Sequence, residues 1–255
     1  DIFYIRTLTD SLNLRQRLQT VKSVVVIGGG FIGLEAGAMA CKMGKKVSVV
    51  ESSERLMMRA ISPELSEYYL ALHSEKGVDM RIGCEVSHLE QHNHGLTVVP
   101  KTGESISADI VLVGIGVVPN SEIAETAGLE CDNGILVNEK CLTSDANIVA
   151  AGDCTMHQNG FLKKIIRLES IQNAVDQAKI AASSMLGGSQ AYDQVPWFWS
   201  DQYDVTLQIA GVASGYDNHV RLGGKNENSF SFFYFKGDEL LGVDSINHPV
   251  MHMAA

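Results

Sequence analysis

The sequence predicts an α/β protein with a parallel, doubly wound sheet, and three features indicate this class. In residues 1–118, short runs rich in valine and isoleucine, such as "SVVVIG", "KVSVVE" and "ADIVLVGIG", alternate with helical stretches. Strands that alternate with helices pair in parallel within a helix-covered sheet. A glycine-rich turn joins the first of these strands to its helix, and from about residue 192 the pattern changes to short alternating strands. We therefore expect a parallel sheet first and a small sheet-rich domain last.

Composition narrows the class of protein further. A chain of 255 residues that is 45% hydrophobic can bury a sizeable core. The formal net charge of −10 and the lack of a long basic run argue against nucleic acid as a partner. We find no apolar stretch of membrane-spanning length and no signal-peptide pattern, so we expect no membrane association and a cytoplasmic location. The five cysteines show neither a C-x-x-C pair nor metal-ligand spacing, which predicts reduced cysteines and no metal site.

The segment "VVVIGGGFIGLE" carries the clearest motif. Gly28, Gly30 and Gly33 fit the pattern G-x-G-x-x-G, with a strand before them and a helix predicted over residues 32–42 after them. The first glycine permits a tight turn, the second lets the backbone approach a pyrophosphate, and the third lets helix and strand pack closely. Backbone N–H groups at the start of the helix would bind the phosphates. The motif predicts a Rossmann-like dinucleotide site.

Two acidic residues near this turn are candidates for the same site. Glu51 ends the next strand about 20 residues later, where a carboxylate accepts the ribose hydroxyls of an adenosine and repels a 2′-phosphate. This favours NAD(H) over NADP(H), although Arg55 is the kind of neighbour that accepts the phosphate. Glu35 is predicted on the first turn of the helix, where a carboxylate stabilises the helix N-terminus.

The middle of the chain has a related architecture without a second glycine motif. The strand region "TSDANIVAAGDC" delivers Asp153 to the start of a helix, "SIQNAVDQAKIAASSML", which Ser170 caps and two glycines end. An aspartate in that position can bond ribityl or ribose hydroxyls. The strands "VTLQIAG", "SFSFFYF" and "ELLGVDSI" follow in the last zone.

These segments resemble a known family. "TSDANIVAAGDC" is similar to the flavin-contacting segment of the pyridine-nucleotide-disulfide oxidoreductase superfamily. Seven segments, in family order, resemble the ferredoxin reductases of the putidaredoxin reductase type, which serve cytochromes P450 and ring-hydroxylating oxygenases: "FYIRTLTDS", "GGGFIGLE", "VLVGIGVVPN", "TSDANIVAAGDC", "RLESIQNAVDQA", "VPWFWSDQYDV" and "LLGVDSINHPV".

The resemblance implies a three-part organisation. Residues 1–118 would form a Rossmann-like NAD-binding domain with an entry strand from the FAD domain. Residues 119–191 would form the C-terminal half of the FAD-binding domain, and residues 192–255 a small α+β reductase or interface domain. We expect the N-terminal flavin half of such enzymes, with its pyrophosphate cradle, to be missing from this chain.

The resemblance also implies an activity, two cofactors and a set of site residues. The activity is electron transfer from NADH through FAD to a [2Fe-2S] ferredoxin or rubredoxin. Glu35 and Glu169 resemble the carboxylates that hold the nicotinamide carboxamide, and Trp199 resembles the tryptophan beside the isoalloxazine, which makes Glu35 and Trp199 the catalytic candidates. The other candidate cofactor-binding residues are Arg6, Gly28, Gly30, Gly33, Glu51, Arg55, Gly116, Asp153 and the backbone at Ile171.

Alternatives remain at several of these positions. Arg6 could be a surface arginine, Asp153 a turn cap, and the pair Trp197 and Trp199 core or interface aromatics. The basic run of Lys163, Lys164 and Arg167 either docks an acidic ferredoxin or forms a solvated face, and His248 is interpreted as structural. Alternative functions are an NADH oxidase, an apoptosis-inducing-factor-like NAD-binding protein and a flavin-free NAD-binding fragment. The stretch "PWFWSDQ" favours the reductase over the oxidase.

Overall fold

The computed structural model describes residues 1–93, 95–223 and 228–254. The helices are α1 (Leu8–Leu18), α2 (Phe31–Lys42), α3 (Pro63–Glu75), α4 (Glu122–Thr126), α5 (Ile171–Met185) and α6 (Pro249–Ala254). The strands are β1 (Ile2–Tyr4), β2 (Ser23–Ile27), β3 (Lys46–Glu51), β4 (Asp79–Ile82), β5 (Val86–His92), β6 (Gly95–Pro100), β7 (Ile106–Ala108), β8 (Ile110–Val113), β9 (Cys131–Asp132), β10 (Gly134–Val137), β11 (Thr155–Asn159), β12 (Lys164–Ile166), β13 (Trp197–Gln202), β14 (Val205–Gly211), β15 (Asn218–Gly223), β16 (Phe230–Lys236) and β17 (Glu239–Ile246).

The chain forms two compact units. The first contains Asp1–Gly116 and Ser200–Val205, and the second contains Val117–Trp199 and Thr206–Ala255. Strand β13 therefore belongs to the second unit up to Trp199 and to the first unit from Ser200 onward. The assignment of residues 1–118, 119–191 and 192–255 to NAD, FAD and reductase domains stays a prediction.

A five-stranded sheet forms the centre of the first unit. Its order is β1-β8-β2-β3-β4, and every adjacent pair is parallel. The inner strands are valine-rich and almost completely buried, as expected for a parallel sheet that is covered on both faces. A second, antiparallel sheet of order β5-β6-β7 follows β4. The α/β class predicted from the sequence is confirmed.

Helix α2 packs closely on this sheet because its inner face carries small residues. Gly33, Gly37, Ala38 and Ala40 are all buried. A Cβ atom on Gly37 would lie 3.7–3.8 Å from side-chain atoms of the valines of β2 and β3. This is an ordinary van der Waals distance, so the helix backbone lies about one methyl group away from the sheet's side chains. The helix begins at Phe31, one residue earlier than predicted.

Helix α1 was not predicted from the sequence. Thr7 caps it by accepting a hydrogen bond from the N–H of Asp10, and the Asp10 side chain accepts one in return from the N–H of Thr7. This reciprocal pair closes the helix start in the manner of a capping box. The helix is mostly polar and buries only Leu14 and Leu18, so apolar periodicity gave little signal there.

The second unit contains two further sheets and helix α5. The sheets have the orders β12-β11-β10-β9 and β13-β14-β17-β16-β15. Helix α5 starts after Ser170, whose hydroxyl accepts the N–H of Asn173, as predicted from the sequence. The β-rich C-terminal part is also as predicted. Among the described residues, no helix is long and apolar enough to cross a membrane.

A carboxyl group is buried inside the C-terminal sheet. Asp244 on β17 is 1% exposed, and its Oδ2 accepts a hydrogen bond of 2.9 Å from the hydroxyl of Tyr234 on β16. Burial raises the pKa of Asp244 to about 7, although the Tyr234 bond acts in the opposite direction. Below about pH 7 the folded protein therefore keeps a proton on Asp244 that the unfolded chain releases at much lower pH.

This predicts a loss of stability as the pH rises. The folded-state pKa of Asp244 lies above its unfolded value, so the free energy of unfolding should fall between about pH 4 and pH 7 and then level off. Asp244→Asn should remove this component while keeping an acceptor for Tyr234. Thermal melts of wild type and of Asp244→Asn from pH 5 to pH 8 measure this component as the difference between the two melting temperatures. The contributions of the other titrating groups cancel in that difference. A difference between the two melting temperatures that stays constant with pH would contradict the prediction.

Candidate functional site

The turn between β2 and α2 depends on backbone contacts that exclude side chains. Gly28 has a φ angle of 109°, in the region that favours glycine, and a Cβ atom there would overlap the carbonyl group of Gly114. A Cβ atom on Gly33 would overlap the carbonyl oxygen of Gly28 and lie 3.2 Å from Val26. Both glycines therefore serve the close approach of backbone segments, as predicted from the motif.

Gly30 differs from these two glycines because open space lies beside it. It precedes the first residue of α2, and a Cβ atom built on it meets no atom within 4 Å. The N–H groups of the first helical turn have no acceptors within the helix, and the helix dipole adds a partial positive charge there. The residues present thus fit a pyrophosphate, which needs close approach to backbone at Gly30.

Glu51 closes the opposite side of this turn. Its Oε2 accepts the N–H of Gly29 at 2.6 Å, and its Oε1 accepts the N–H of Ser53 at 2.6 Å. Burial opposes ionisation of Glu51, but the hydrogen bonds from Ser53 and Gly29 outweigh it and lower the pKa below its ordinary value. The carboxylate is therefore ionised near neutral pH, and it keeps acceptor capacity for ribose hydroxyls.

Arg55 has partners within its own loop. Its Nη1 donates to the carbonyl of Ile61 at 2.7 Å and to the hydroxyl of Ser66 at 2.9 Å, and its Nη2 donates to the carbonyl of Met58 at 2.8 Å. These bonds hold the loop that follows Glu51. A 2′-phosphate would have to compete with them for the guanidinium. A direct role for Arg55 in cofactor binding stays a prediction.

Glu35 does not lie where the sequence analysis placed it. It is the fifth residue of α2, and the first turn of that helix contains no acidic residue. The Glu35 Oε1 instead accepts a hydrogen bond of 2.6 Å from the hydroxyl of Ser200. The side chain is half-buried, and burial and the negative charge of Asp201 raise its pKa above the ordinary value, against the effect of the Ser200 bond.

The remaining candidates of the first unit lie at its surface. The side chain of Arg6 is exposed, and its backbone N–H donates to the carboxylate of Asp10. Gly116 has a φ angle of 116°, and a Cβ atom on it would lie 3.6 Å from the guanidinium of Arg59. Their contacts with a cofactor stay predictions.

In the second unit, Gln177 of α5 holds the loop that carries Asp153. The side-chain carbonyl of Gln177 accepts the N–H of Gly152 at 2.7 Å and the hydroxyl of Thr155 at 2.9 Å. Asp153 itself is exposed beside this fixed loop. Ile171 is the first residue of α5 and is 66% exposed, so its N–H lies at a helix start that faces solvent.

Glu169 and the tryptophans have partners within the second unit. Glu169 forms an ion pair with Arg167, whose side chain is only 13% exposed. The rings of Trp197 and Trp199 lie 5.2 Å apart between centroids, and the indole N–H of Trp197 donates to His252. Trp199 is 38% exposed, so part of its ring is accessible to a ligand.

The structure also shows polar residues around Glu35 that the sequence analysis did not identify. Ser200, Gln202, His73 and Tyr203 connect to Glu35 through side-chain hydrogen bonds. The stretch "SDQY" lies within a segment that the sequence marked as similar to the family and from which only the tryptophans were taken as site candidates. In the described part of the chain, no group of three or more potential metal ligands comes together.

Comparison with known proteins identifies two family matches. Residues 1–178 match the family described as pyridine nucleotide-disulphide oxidoreductase, and residues 197–255 match the family described as reductase C-terminal. The first match covers more than half of the chain. The second contains both tryptophans and the stretch from Ser200 to Tyr203.

Named relatives have similar sequences along the whole chain. Rhodocoxin reductase of Rhodococcus erythropolis is 46% identical over 255 residues, which is 100% of this chain and 60% of that protein. Putidaredoxin reductase of Pseudomonas putida is 40% identical over 250 residues, 97% of this chain and 59% of that protein. The chain thus spans about three fifths of the length of these relatives.

Solved structures agree with these matches. The ferredoxin reductase for the CYP199A2 system from Rhodopseudomonas palustris has a TM-score of 0.95 at 43% identity, covering 98% of this chain and 62% of that one. The covalent putidaredoxin reductase–putidaredoxin complex also has a TM-score of 0.95, at 39% identity, covering 99% of this chain and 61% of that chain.

Two glycine substitutions should separate folding from ligand binding. Gly33→Ala forces a methyl group into the Gly28 carbonyl and should lower the free energy of unfolding by about 3 kcal/mol or more. Gly30→Ala should leave stability within about 1 kcal/mol of wild type, but it should weaken NADH binding about tenfold or more because the methyl group occupies the phosphate approach. Thermal melts and calorimetric titration measure the two effects. NADH binding by Gly30→Ala at wild-type affinity would exclude this turn as the pyrophosphate site.

Proposed function

The chain belongs to the pyridine nucleotide-disulphide oxidoreductase family, and we propose that it provides the NADH-binding and part of the FAD-binding apparatus of a ferredoxin reductase. The electron acceptor in this proposal is a [2Fe-2S] ferredoxin or a rubredoxin. Similarity to rhodocoxin and putidaredoxin reductases, together with the C-terminal family match, supports this choice.

One observation carries the proposal: the N–H of Gly29, inside the glycine turn, donates to the carboxylate of Glu51. This bond holds the ionised carboxylate of Glu51 beside the open backbone at Gly30, which supports its proposed role as the acceptor for the adenosine ribose. The same negative charge repels a 2′-phosphate, and Arg55 is already bonded to two carbonyls of its own loop and to the hydroxyl of Ser66 on α3. NADH is therefore the proposed coenzyme.

The proposed chemistry belongs to the cofactors, which transfer hydride from NADH to FAD and then release single electrons to the iron–sulfur protein. The chain's own residues bind and orient these cofactors. In the first unit, Glu35 is the proposed acceptor for an amide hydrogen of the nicotinamide. For the second unit, the family resemblance suggests the same kind of role for Glu169 and a position beside the flavin ring for Trp199. Arg6, Asp153 and the N–H of Ile171 contact the flavin, the last at a helix start that favours negative charge.

The basic run of Lys163, Lys164 and Arg167 is only partly available to dock an acidic partner. Arg167 forms an ion pair with Glu169 and is mostly buried, so its charge is compensated. Lys164 donates to the hydroxyl of Ser214 at 3.1 Å. Of the three basic residues, the two lysines remain candidates for contact with an acidic ferredoxin.

A cytoplasmic location forms part of the proposal. All five cysteines are free thiols, and none pairs with another. Free thiols are typical of proteins kept in a reducing compartment.

The coenzyme preference provides the direct test. Glu51→Ala should narrow the preference for NADH over NADPH by about one to two log units, because a charged acceptor and its repulsion of the 2′-phosphate are both lost. Calorimetric titration of the chain with each coenzyme measures the preference. Glu54→Ala is the matched control, since Glu54 is exposed and lies three residues after Glu51 in the loop that follows β3.

Three results of these titrations would count against the proposal, each in a different way. An unchanged ratio in Glu51→Ala would remove Glu51 from the site. Failure of the wild-type chain to bind NADH at all would contradict the proposed function. Equal effects of the two substitutions would indicate a general charge effect and not a specific contact.

A further inference from the structure

A continuous series of hydrogen bonds links five side chains of the first unit. The hydroxyl of Tyr203 lies 3.1 Å from Nδ1 of His73, and Nε2 of His73 lies 2.8 Å from Oε1 of Gln202. The amide nitrogen of Gln202 donates to Ser200 at 3.1 Å, and the hydroxyl of Ser200 donates to Glu35 at 2.6 Å. We call Ser200, Gln202, His73 and Tyr203 the Glu35 relay.

Only one orientation of these hydrogen bonds gives every donor in the series an acceptor. Because the amide nitrogen of Gln202 donates to Ser200, its carbonyl oxygen faces His73 and must accept the Nε2–H. The other ring nitrogen of His73 then accepts the hydroxyl of Tyr203. This arrangement requires a neutral imidazole, and burial lowers the pKa of His73 in agreement. The donors thus all point from Tyr203 toward the Glu35 carboxylate.

The interior of the Glu35 relay is closed to water. Ser200 is 1% exposed, and Gln202 and His73 are 0% exposed. Buried polar groups destabilise a protein unless they are bonded, and bonded series in a dry interior polarise one another. A packing role alone is served better by apolar residues of the same size. The presence of four polar side chains here is explained if their hydrogen bonds serve Glu35, the residue at which the series ends.

The turn between β13 and β14 is held in a strained form at the far end of the series. Tyr203 has a φ angle of 60°, which bulky residues rarely adopt. Its carbonyl accepts Nζ of Lys42 on α2 at 2.8 Å, and its ring packs edge-on against His73 at 5.0 Å. The turn is thereby attached to α2, which carries Glu35, and to α3, which carries His73.

We propose that the Glu35 relay positions the Glu35 carboxylate, holding its Oε1 so that the carboxylate meets the amide end of the nicotinamide in one orientation. The relay residues are positioning residues, since they act through Glu35. This inference rests on the proposed function for the identity of the ligand. The direction of the hydrogen bonds does not depend on it.

Charged and titratable groups face the relay from each packed element. These are Asp201 on β13, Asp204 in the turn, Cys41 and Lys42 on α2, and Lys76 after α3. Asp201 disfavours the negative charge of Glu35, whereas Ser200 favours it. Removing the Ser200 hydroxyl should therefore raise the pKa of Glu35 further and reduce its ionised fraction near neutral pH.

The experiment compares four variants of the full chain by NMR and by binding. Ser200→Ala removes the bond to Glu35, and Ser200→Thr keeps a hydroxyl. Tyr203→Phe removes only the hydroxyl at the far end. Ser74→Ala is the matched control, because Ser74 follows His73 on α3 and its hydroxyl donates to the backbone carbonyl of Leu70, outside the relay. Carbon-13 titration of the Glu35 carboxyl, assigned with Glu35→Gln, and nitrogen-15 spectra of His73 report on the relay, and NADH titrations from pH 6 to pH 9 report on binding.

The proposal expects graded results. In Ser200→Ala the Glu35 titration should move to higher pH, and the NADH dissociation constant should rise about tenfold at neutral pH. Ser200→Thr should restore both. Tyr203→Phe should move the Glu35 titration in the same direction by less and change the tautomer signature of His73, and Ser74→Ala should match wild type.

Two results would overturn the relay. One is a Tyr203→Phe variant with unchanged His73 and Glu35 signals, and the other is a Ser200→Ala variant in which Glu35 titrates as in wild type. If the wild-type chain binds no NADH, the proposed function fails, and the NMR titrations still decide whether the relay exists. If NADH binds but the titrations do not move, the relay alone fails.

Discussion

The contact between the backbones of α2 and β2 is the constraint on which the rest of the site depends. Gly33 lies against the carbonyl of Gly28, and no side chain fits between them. This contact sets the start of α2 beside the carboxyl end of β2, where the N–H groups of the helix face open space at Gly30. The neighbouring strand then brings Glu51 to the same turn. The close contact at these two glycines thus arranges both the proposed phosphate site at Gly30 and the neighbouring carboxylate of Glu51.

Glu51 and Glu35, the two carboxylates of the first unit that are candidates for the site, have different surroundings. Backbone N–H groups overcome the burial of Glu51 and lower its pKa, whereas burial and Asp201 raise the pKa of Glu35. Glu51 is consequently a fixed negative charge, suited to discriminating between coenzymes. Glu35 depends on one hydroxyl donor, Ser200, to favour its charged form. Its charge is therefore sensitive to groups far along the chain.

Local patterns allowed most of the fold and the first part of the site to be predicted. The glycine motif, the β3 strand ending at Glu51 and the Ser170 cap all act over a few residues, so the sequence displays them directly. The Glu35 relay could not be predicted in this way, because His73 and Gln202 lie 129 residues apart and share no periodicity. Glu35 lies just past the first turn and not within it, because α2 begins at Phe31, one residue earlier than predicted. The sequence pattern also does not show that Glu35 bonds to a distant hydroxyl. Helix α1 was missed because its capping box precedes a polar helix.

The segment Ser200–Val205 has a consequence for how the molecule is made. It belongs to the first unit, although the intervening residues from Val117 to Trp199 belong to the second. During synthesis the ribosome must therefore release the hairpin of β13 and β14 before the first unit can close around His73. The first unit is therefore completed late, and a chain that ended after Gly116 would lack the last segment of this unit.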